Sequence, residues 1–497
     1  MKPSKWFPVP KKSEPDVPAE LPIALRPSSN GEFEPPPVTA RDLAAEEALK
    51  RLIDEKARRT GLTRRQFVES ASGTVAALYI MNQAYGCSRS PSGAGFTRDA
   101  GYDVPADVSA EDAANAAADA VYDVSADAVE DQAAARDALG GDQFIFDVQT
   151  HNEIPAPPWN ANICPGMPAL CPKEWISQMF VGSDTDVACL SGFPSGVPPI
   201  ETRGRLKEIV DRLSGSPRLL LHANVVPHNA AQIDAMPATA AAYPIAAWKT
   251  YPETSGLDTA PNFIEQARRT GVRIIASHRG IGQDGGAWDG QNSPRDVVAA
   301  AAANPDIKFL LYHSGWQSGV REDHPFNLTD TAPRGLDRLI KAVRDANIGP
   351  TGNVYAELGT TWFSLRTDMA QAAHVLGKLL LYLGPERILW GTDSFNNGGP
   401  QGQIDAFRAF EIPQSMQMMF GYPALTAEVK AKILGLNAAN VYGVDVAAVR
   451  RRITADDITQ LVLARRDDPR AVPFGAPPHG PRTRREYLAF LRWTGEG

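Results

Sequence analysis

Short apolar runs alternate regularly with longer amphipathic stretches from residue 144 to residue 391. The runs have the length and composition of buried parallel strands, whereas the stretches between them have helical periodicity and end near Gly or Asn-Pro. The eight predicted strands are residues 144–148, 186–190, 218–225, 245–250, 272–277, 307–312, 353–358 and 387–391. Eight consecutive strand–helix units are typical of the α/β class and predict a TIM-like (β/α)8 barrel over residues 142–443.

Polar side chains stand where several of these strands end. Gln149 and His151 follow the first run, and strand alternation predicts that they share one face. Four more strands end in coordinating or charged residues, namely Lys249, His278, His313 and Asp393. Because barrel enzymes carry their active sites at the carboxyl ends of the strands, we expect these side chains to converge. Arg279, Trp316 and the Gly-rich loop at residues 282–288 are predicted to line the substrate side of the same site.

The segments outside the predicted barrel have different compositions. Residues 1–63 are rich in Pro and charge and are expected to pack poorly, apart from a helical pattern over residues 39–59. Residues 88–141 are rich in Ala and Asp and are interpreted as a spacer. Residues 444–497 are predicted to form a helical extension that wraps the barrel or contacts another subunit of a homo-oligomer. On this division the region before residue 142 is dispensable for folding.

Residues 64–87 resemble a twin-arginine export signal. Arg64 and Arg65 are followed by Phe67 and by a mildly apolar run that is too short to span a bilayer. The resemblance implies contact with export machinery and a periplasmic location, and the alternative is an arginine pair at the start of an ordinary helix in a cytoplasmic protein. Cys87 also weakly resembles a lipidation site, and pairing between Cys164 and Cys171 stays open.

The overall charge narrows the class of partner. A formal net charge of −8 and the lack of a basic stripe argue against a nucleic-acid surface. Together with the cluster of coordinating residues at the predicted barrel mouth, this favours a small-molecule substrate. The sequence does not identify the substrate. Lys249 is expected either to bind an anionic group of the substrate or to have a structural role.

The order of the strand-end residues resembles the amidohydrolase superfamily. It is most similar to the amidohydrolase-related branch that includes aminocarboxymuconate-semialdehyde decarboxylase, and the closing stretch ILGLNAANVYG at residues 433–443 is similar to that branch as well. The resemblance implies that His151, His278 and Asp393 bind a divalent metal, which in the family is often zinc. It also implies that His313 is catalytic. Gln149 stands where the family has the first His of a His-x-His pair. A Gln oxygen is a weaker ligand than imidazole, so a metal-free site is the alternative.

The function that these residues predict is metal-assisted hydrolysis of a small carbonyl or carboxylate-bearing substrate. A bound metal would lower the pKa of its water, and Asp393 or His313 would accept the proton. Two alternatives remain open at this point. The same scaffold supports a non-hydrolytic decarboxylase or hydratase, and Gln149 is also consistent with an exported binding protein whose site has degraded.

Overall fold

Eight parallel strands form one sheet in chain order, as predicted. The computed structural model describes residues 21–26, 29, 33–86, 122–152, 172–193, 199–215, 217–252, 255–281, 292–394, 398–467 and 482–488. The strands are β1 Phe146–Thr150, β2 Val187–Leu190, β3 Leu219–Asn224, β4 Ile245–Thr250, β5 Ile274–His278, β6 Lys308–Tyr312, β7 Val354–Glu357 and β8 Ile388–Leu389. The (β/α)8 fold class is therefore confirmed, and no strand end differs from the predicted one by more than two residues.

Helices follow the strands and cover the outside of the sheet. Those within the barrel region are α5 Pro172–Ile176, α6 Ile200–Ser214, α7 Ala230–Ala242, α8 Pro261–Arg269, α9 Arg295–Ala303, α10 Asp337–Asp345, α11 Thr361–Leu365, α12 Met369–Tyr382, α13 Gln401–Ala409, α14 Gln414–Phe420, α15 Ala427–Ala431 and α16 Asn437–Tyr442. The flanking helices are α1 Ala40–Thr60, α2 Arg64–Val68, α3 Ala71–Met81 and α4 Gln132–Leu139 before the barrel, and α17 Val446–Ile453 and α18 Asp457–Asp467 after it.

The barrel is closed by the segment that follows β8. Backbone hydrogen bonds join Val148 N to Trp390 O at 3.0 Å, Asp393 N to Gln149 O at 2.9 Å and His151 N to Ser394 O at 2.7 Å. Residues 390–394 therefore continue the last strand alongside β1, beyond the two residues that form β8 itself. This closure brings the carboxyl ends of the first and last strands together, which is where the polar residues lie.

The inside of the barrel is filled with side chains. Phe146, Val148, Cys189, Ala276 and Tyr312 are among the buried residues of this inner cluster, and residues of α16 and α17 pack against it. Alternate residues of the strands face the surrounding helices, as expected for parallel strands that are buried on both faces. The interior is therefore a packed core, and the polar site lies above it at the carboxyl end.

The sequence predicted that the barrel begins at residue 142, but helices before that residue pack into its core. Leu49 on α1, Phe67 on α2 and Leu78 on α3 are wholly buried, in one hydrophobic cluster with residues of α12 and α13. Helix α3 also contacts α4 and α13 directly. The segment from residue 40 to residue 86 is thus part of the barrel's own core. Composition misled the prediction because α1 is highly charged on its exposed face, whereas its buried stripe contains only four residues.

The twin-arginine motif begins a capped helix. The Thr63 side chain accepts a hydrogen bond from Gln66 N, and Arg64 and Arg65 pair with Asp54 and Glu69. The apolar run that follows is α3, most of which is buried. Within the described residues, no helix combines the length and apolar character needed to cross a membrane. Cys87, Cys164 and Cys171 lie outside the described residues, so their pairing and lipidation stay predictions.

The C-terminal helices lie against the barrel. Val449 and Ile453 of α17 pack under the inner cluster, while Ile458 and Leu461 of α18 pack against α6. A buried ion pair between Arg218 and Asp456, with 2.6 Å between Nε and Oδ2, fixes this segment beside the start of β3. Residues 444–467 are therefore a cover for the amino end of the barrel, opposite the polar site.

Two leucines on one helix test whether the N-terminal segment belongs to the core. Leu49→Ala removes a fully buried side chain and should lower the free energy of unfolding by about 2–5 kcal/mol. Leu43→Ala, at a position that is 53% exposed, should change it by no more than about 0.5 kcal/mol. Urea unfolding measures both. Equal, small effects would show that α1 is a loosely attached spacer, as the composition had suggested.

Export by the twin-arginine route stays a prediction. Replacing Arg64 and Arg65 by Lys keeps both positive charges and should leave the protein in the cytoplasm if the motif is read by the export machinery. Fractionation of cells that express either form measures the distribution. An unchanged distribution would mean that the two arginines serve only the helix that they begin.

Candidate functional site

The ends of β1, β6 and β8 bring four predicted site residues into one buried cluster. Gln149 Nε2 lies 3.0 Å from Asp393 Oδ1 and 3.4 Å from His313 Nε2. His151 Nε2 lies 3.0 Å from the same Asp393 oxygen. All four side chains are buried. The convergence expected at the carboxyl face of the barrel is therefore present for Gln149, His151, His313 and Asp393.

Asp393 is the centre of this cluster. Its Oδ1 faces Gln149 and His151, and its Oδ2 accepts a hydrogen bond of 2.5 Å from the Thr360 hydroxyl. Burial by itself would raise the pKa of Asp393, but the hydrogen bond and charge of His151, with His313 and Thr360, hold the pKa of this carboxyl well below its usual range. The cluster therefore contains a carboxylate that stays ionised at neutral pH.

The two histidines of the cluster have defined hydrogen-bond roles. His313 Nδ1 lies 2.7 Å from Gly359 O, and His151 Nδ1 lies 3.1 Å from Ser191 O. A carbonyl oxygen only accepts, so both Nδ1 atoms carry a hydrogen. His151 also faces the Asp393 carboxylate with Nε2, at 3.0 Å from Oδ1. His313 instead presents an accepting Nε2 toward the Gln149 amide.

Lys249 and His278 lie on the neighbouring side of the site. The Lys249 ammonium is buried 3.4 Å from the ring centre of Tyr312 and 4.6 Å from that of Tyr251. Tyr251 stacks on His278 with ring centres 5.3 Å apart, and His278 meets His313 edge to face at 4.6 Å. A single aromatic ring thus separates the buried cation from His278, and the aromatic faces attract its positive charge.

Arg279 and Trp316 have contacts within the protein. The Arg279 guanidinium forms an ion pair with Asp296, with distances of 2.9 and 2.5 Å, and donates to His278 O at 2.6 Å. Trp316 is 6% exposed and packs in the large hydrophobic cluster. The structure therefore gives Arg279 a structural role next to His278, and substrate binding by either residue stays a prediction. The loop at residues 282–288 lies outside the described residues.

Two buried carboxyl groups beneath the cluster were missed in the sequence. Glu357 ends β7 and Asp147 lies within β1, and both are fully buried. Burial raises the pKa of Glu357 well above its ordinary value and raises the pKa of Asp147 to about 7. Their signal was an acidic residue inside an apolar run, because such a residue is buried only with hydrogen-bond partners. Of these three carboxyl groups, Asp393 is thus the one whose pKa is held below its ordinary value.

A hydroxyl network also lies under the site. Tyr312 donates to Val148 O at 2.7 Å and lies 3.0 Å from both Ser191 Oγ and His222 Nδ1. His222 Nε2 lies 2.9 Å from Tyr442 OH. Burial lowers the pKa of His222 well below its ordinary value, so this ring is neutral. The network ties five elements together below Lys249 and gives the site a rigid floor.

The residues present do not fit the divalent-metal site that the resemblance implied. Among the residues that the structure describes, no three His, Cys, Asp or Glu side chains converge as metal ligands do. Gln149 turns its amide nitrogen, which donates, toward Asp393, and within the described part of the chain its Oε1 has no hydrogen-bond partner. His151 Nε2 is used against the same carboxylate. Gln149 was expected to be a metal ligand, but in the structure it is a hydrogen-bond donor to Asp393.

The chain matches one family model over most of its length. The model is described as amidohydrolase and matches residues 48–444. It begins within α1, so the match includes the N-terminal helices as well as the barrel. No curated protein matches the chain.

Several solved structures are similar to the chain at low sequence identity. A probable 2-pyrone-4,6-dicarboxylic acid hydrolase from Acinetobacter baumannii is 12% identical, with 60% of this chain and 99% of that chain covered and a TM-score of 0.38. An amidohydrolase 2 from Bifidobacterium longum subsp. infantis is 15% identical, with 61% and 100% covered and a TM-score of 0.33. A TIM-barrel protein from Bordetella bronchiseptica is 11% identical, with 60% and 99% covered and a TM-score of 0.36. These values are too low to indicate an activity.

Zinc titration tests whether the residues of this site bind a divalent metal poorly. The chain should bind Zn²⁺ weakly, and dialysis against a chelator should leave its melting temperature unchanged. Gln149→His places an imidazole beside His151 and Asp393 and should tighten Zn²⁺ binding by at least about tenfold in calorimetry. Gln149→Asn is the matched control that keeps an amide. A stoichiometric metal in the isolated wild-type protein, or no gain in Gln149→His, would contradict this assignment.

Proposed function

Because the chain belongs to the amidohydrolase family, we propose that it is a hydrolase that cleaves a small substrate bearing a carbonyl and a carboxylate group. The observation that carries the proposal is the buried cluster in which Gln149 lies between the accepting Nε2 of His313 and the Asp393 carboxylate. This arrangement supplies a base, an ionised partner and a hydrogen-bond donor at the carboxyl face of the barrel.

His313 is the proposed general base. Its Nδ1–H is held by Gly359 O, which leaves Nε2 to accept a proton. Imidazole is the side chain that takes up and releases protons near neutral pH, whereas the low pKa of Asp393 makes that carboxylate a poor proton acceptor. Asp393 is instead suited to stabilise the positive charge that forms on His313.

The proposed reaction moves one proton through His313. A water molecule gives a proton to Nε2 as its oxygen attacks the substrate carbonyl carbon. The tetrahedral intermediate then collapses, the bond to the leaving oxygen or nitrogen breaks, and the imidazolium returns the proton to that atom. The Gln149 amide lies beside His313 and can donate to the oxygen that becomes negative.

Lys249 is the proposed anchor for a negatively charged part of the substrate. Its ammonium is buried among aromatic faces on the His278 side of the cluster, where a charge interaction is stronger than in water. A carboxylate held there would place a neighbouring carbonyl within reach of the residues around His278. The buried Lys249 ammonium is therefore the reason that we propose a substrate with a carboxylate group.

The resemblance implies a metal-assisted form of this hydrolysis, with His151, His278 and Asp393 as ligands. The contacts that the structure describes do not fit such a site, so no step proposed here passes through a metal. The non-hydrolytic alternative, loss of CO₂ or addition of water on the same scaffold, uses the same anchor and base. Release of CO₂ from a carboxylate substrate would distinguish it, and an exported binding protein would show neither reaction.

A matched substrate panel tests the proposal. The panel pairs small esters, lactones and amides with and without a carboxylate, and acid release or amine release is followed at neutral pH. The wild-type protein should turn over the carboxylate-bearing members faster. His313→Gln should lower turnover by about 10²–10⁴-fold, the range for a lost general base.

The exposed residue His228 supplies the control, because His228→Gln removes an imidazole outside the buried cluster and should leave turnover unchanged. Melting temperatures of the two variants separate a lost base from a lost fold. Turnover that survives His313→Gln at the wild-type rate would reject His313 as the base.

A further inference from the structure

Glu357 is a buried residue without a role in the proposed reaction, yet both of its carboxyl oxygens are used. Oε2 accepts a hydrogen bond of 3.0 Å from His313 N, and Oε1 accepts one of 2.5 Å from Gly359 N. Glu357 itself is fully buried at the end of β7. One carboxyl group therefore holds the backbone of two different segments, one after β6 and one after β7.

These two segments are the ones that fix the His313 ring. Gly359 N donates to Glu357 and Gly359 O accepts from His313 Nδ1 at 2.7 Å. The contacts thus run in a closed ring, from the carboxyl group to the His313 backbone, along its side chain to the Gly359 peptide, and back to the carboxyl group. Two further bonds support the ring, Ser314 Oγ to Glu357 O at 2.6 Å and Thr361 Oγ1 to His313 O at 2.9 Å.

The backbone at His313 needs such support. His313 has φ +66° and Ser314 has φ +54°, both in the left-handed region that non-glycine residues seldom occupy. Such backbone conformations are unfavourable and persist where the surrounding contacts hold them in place. The hydrogen bond from His313 N to Glu357 is one of those contacts.

Two glycines leave the space that the carboxyl group occupies. A Cβ atom on Gly391 would lie 1.8 Å from Glu357 Oε1, and one on Gly359 would lie 2.5 Å from it. Neither residue has a positive φ, so the need for glycine at these positions is one of space. The segments that follow β7 and β8 thus leave room for the Glu357 carboxyl group.

We propose that Glu357 is a positioning residue that holds His313 in the Nδ1–H form and so directs its accepting Nε2 into the site. The carboxyl group acts through the Gly359 peptide and does not touch the reacting atoms. Without it, the Gly359 carbonyl would lose its fixed direction and the imidazole would gain access to the other tautomer. The bearing of this on catalysis rests on the proposed function of His313, whereas the tautomer is a property of the resting protein.

Histidine side-chain NMR tests the proposal without a substrate. The chain has eight histidines, and His313 is identified in ¹⁵N-histidine-labelled protein as the signal that His313→Gln removes. Long-range ¹H–¹⁵N spectra at neutral pH should show a single Nδ1–H tautomer. In Glu357→Gln only one side-chain oxygen remains to accept, so His313 should shift to a mixture of both tautomers.

Glu322→Gln is the matched control. Glu322 is equally buried and also accepts with both oxygens, from Leu336 N at 2.6 Å and from Lys378 Nζ at 2.7 Å, and these contacts lie in a separate cluster. This variant should lower the melting temperature and leave the His313 signals unchanged. A Glu357→Gln protein that is destabilised but keeps the wild-type His313 signals would overturn the proposal.

Two further measurements cover other outcomes. If Glu357→Gln fails to fold, the wild-type protein decides, since an Nε2–H tautomer at His313, or unprotected amide exchange at both His313 N and Gly359 N, would reject the assignment. Once a substrate is known, Glu357→Gln should lower kcat by about 10–100-fold and leave KM within about twofold. If Glu357→Gln shifts the tautomer but changes only KM, Glu357 does position His313, and the proposed role of His313 in turnover is rejected.

Discussion

The closure of the barrel by the segment after β8 is the constraint on which the site depends. The hydrogen bond from Asp393 N to Gln149 O closes the sheet and fixes the two residues side by side. Asp393 has φ +55°, in the left-handed region, and its Oδ1 lies 3.0 Å from the Gln149 amide nitrogen. Architecture and chemistry are therefore coupled, since whatever holds the first and last strands together also sets the distance between the amide and the carboxylate.

The sequence predicted the barrel well because its signal is repeated. Eight apolar runs at regular spacing are compatible with few folds other than a barrel. The fold class could therefore be predicted even though the bounds of each strand were only approximate. The strand ends also predicted which polar residues meet, because parallel strands place their carboxyl ends at one edge. Gln149, His151, His313 and Asp393 converge for this reason.

What the sequence could not give was the direction of individual groups. Whether the Gln149 amide offers oxygen or nitrogen depends on its neighbours, and those neighbours come from β6 and β8, more than 160 residues away. The acidic residue inside an apolar run marked Glu357 as buried, but its partners are backbone N–H groups, which the sequence does not identify. The packing of the N-terminal helices was missed for a different reason. The many charged residues on the outer face of α1 dominate its composition and hide the narrow stripe of residues that is buried.

The shared core of the N-terminal helices and the barrel has a consequence for how the chain folds. Helix α3 contacts α13, which is synthesised some 300 residues later, and α1 and α2 belong to the same hydrophobic cluster. Tyr122 likewise donates to Arg366 O across 244 residues of chain. Contacts at such sequence separation slow folding, because the intervening loop must close before they form. The part of α3 that packs on α13 thus stays uncovered until residues 401–409 have been synthesised, whereas its contacts with α1 and α4 can form much earlier.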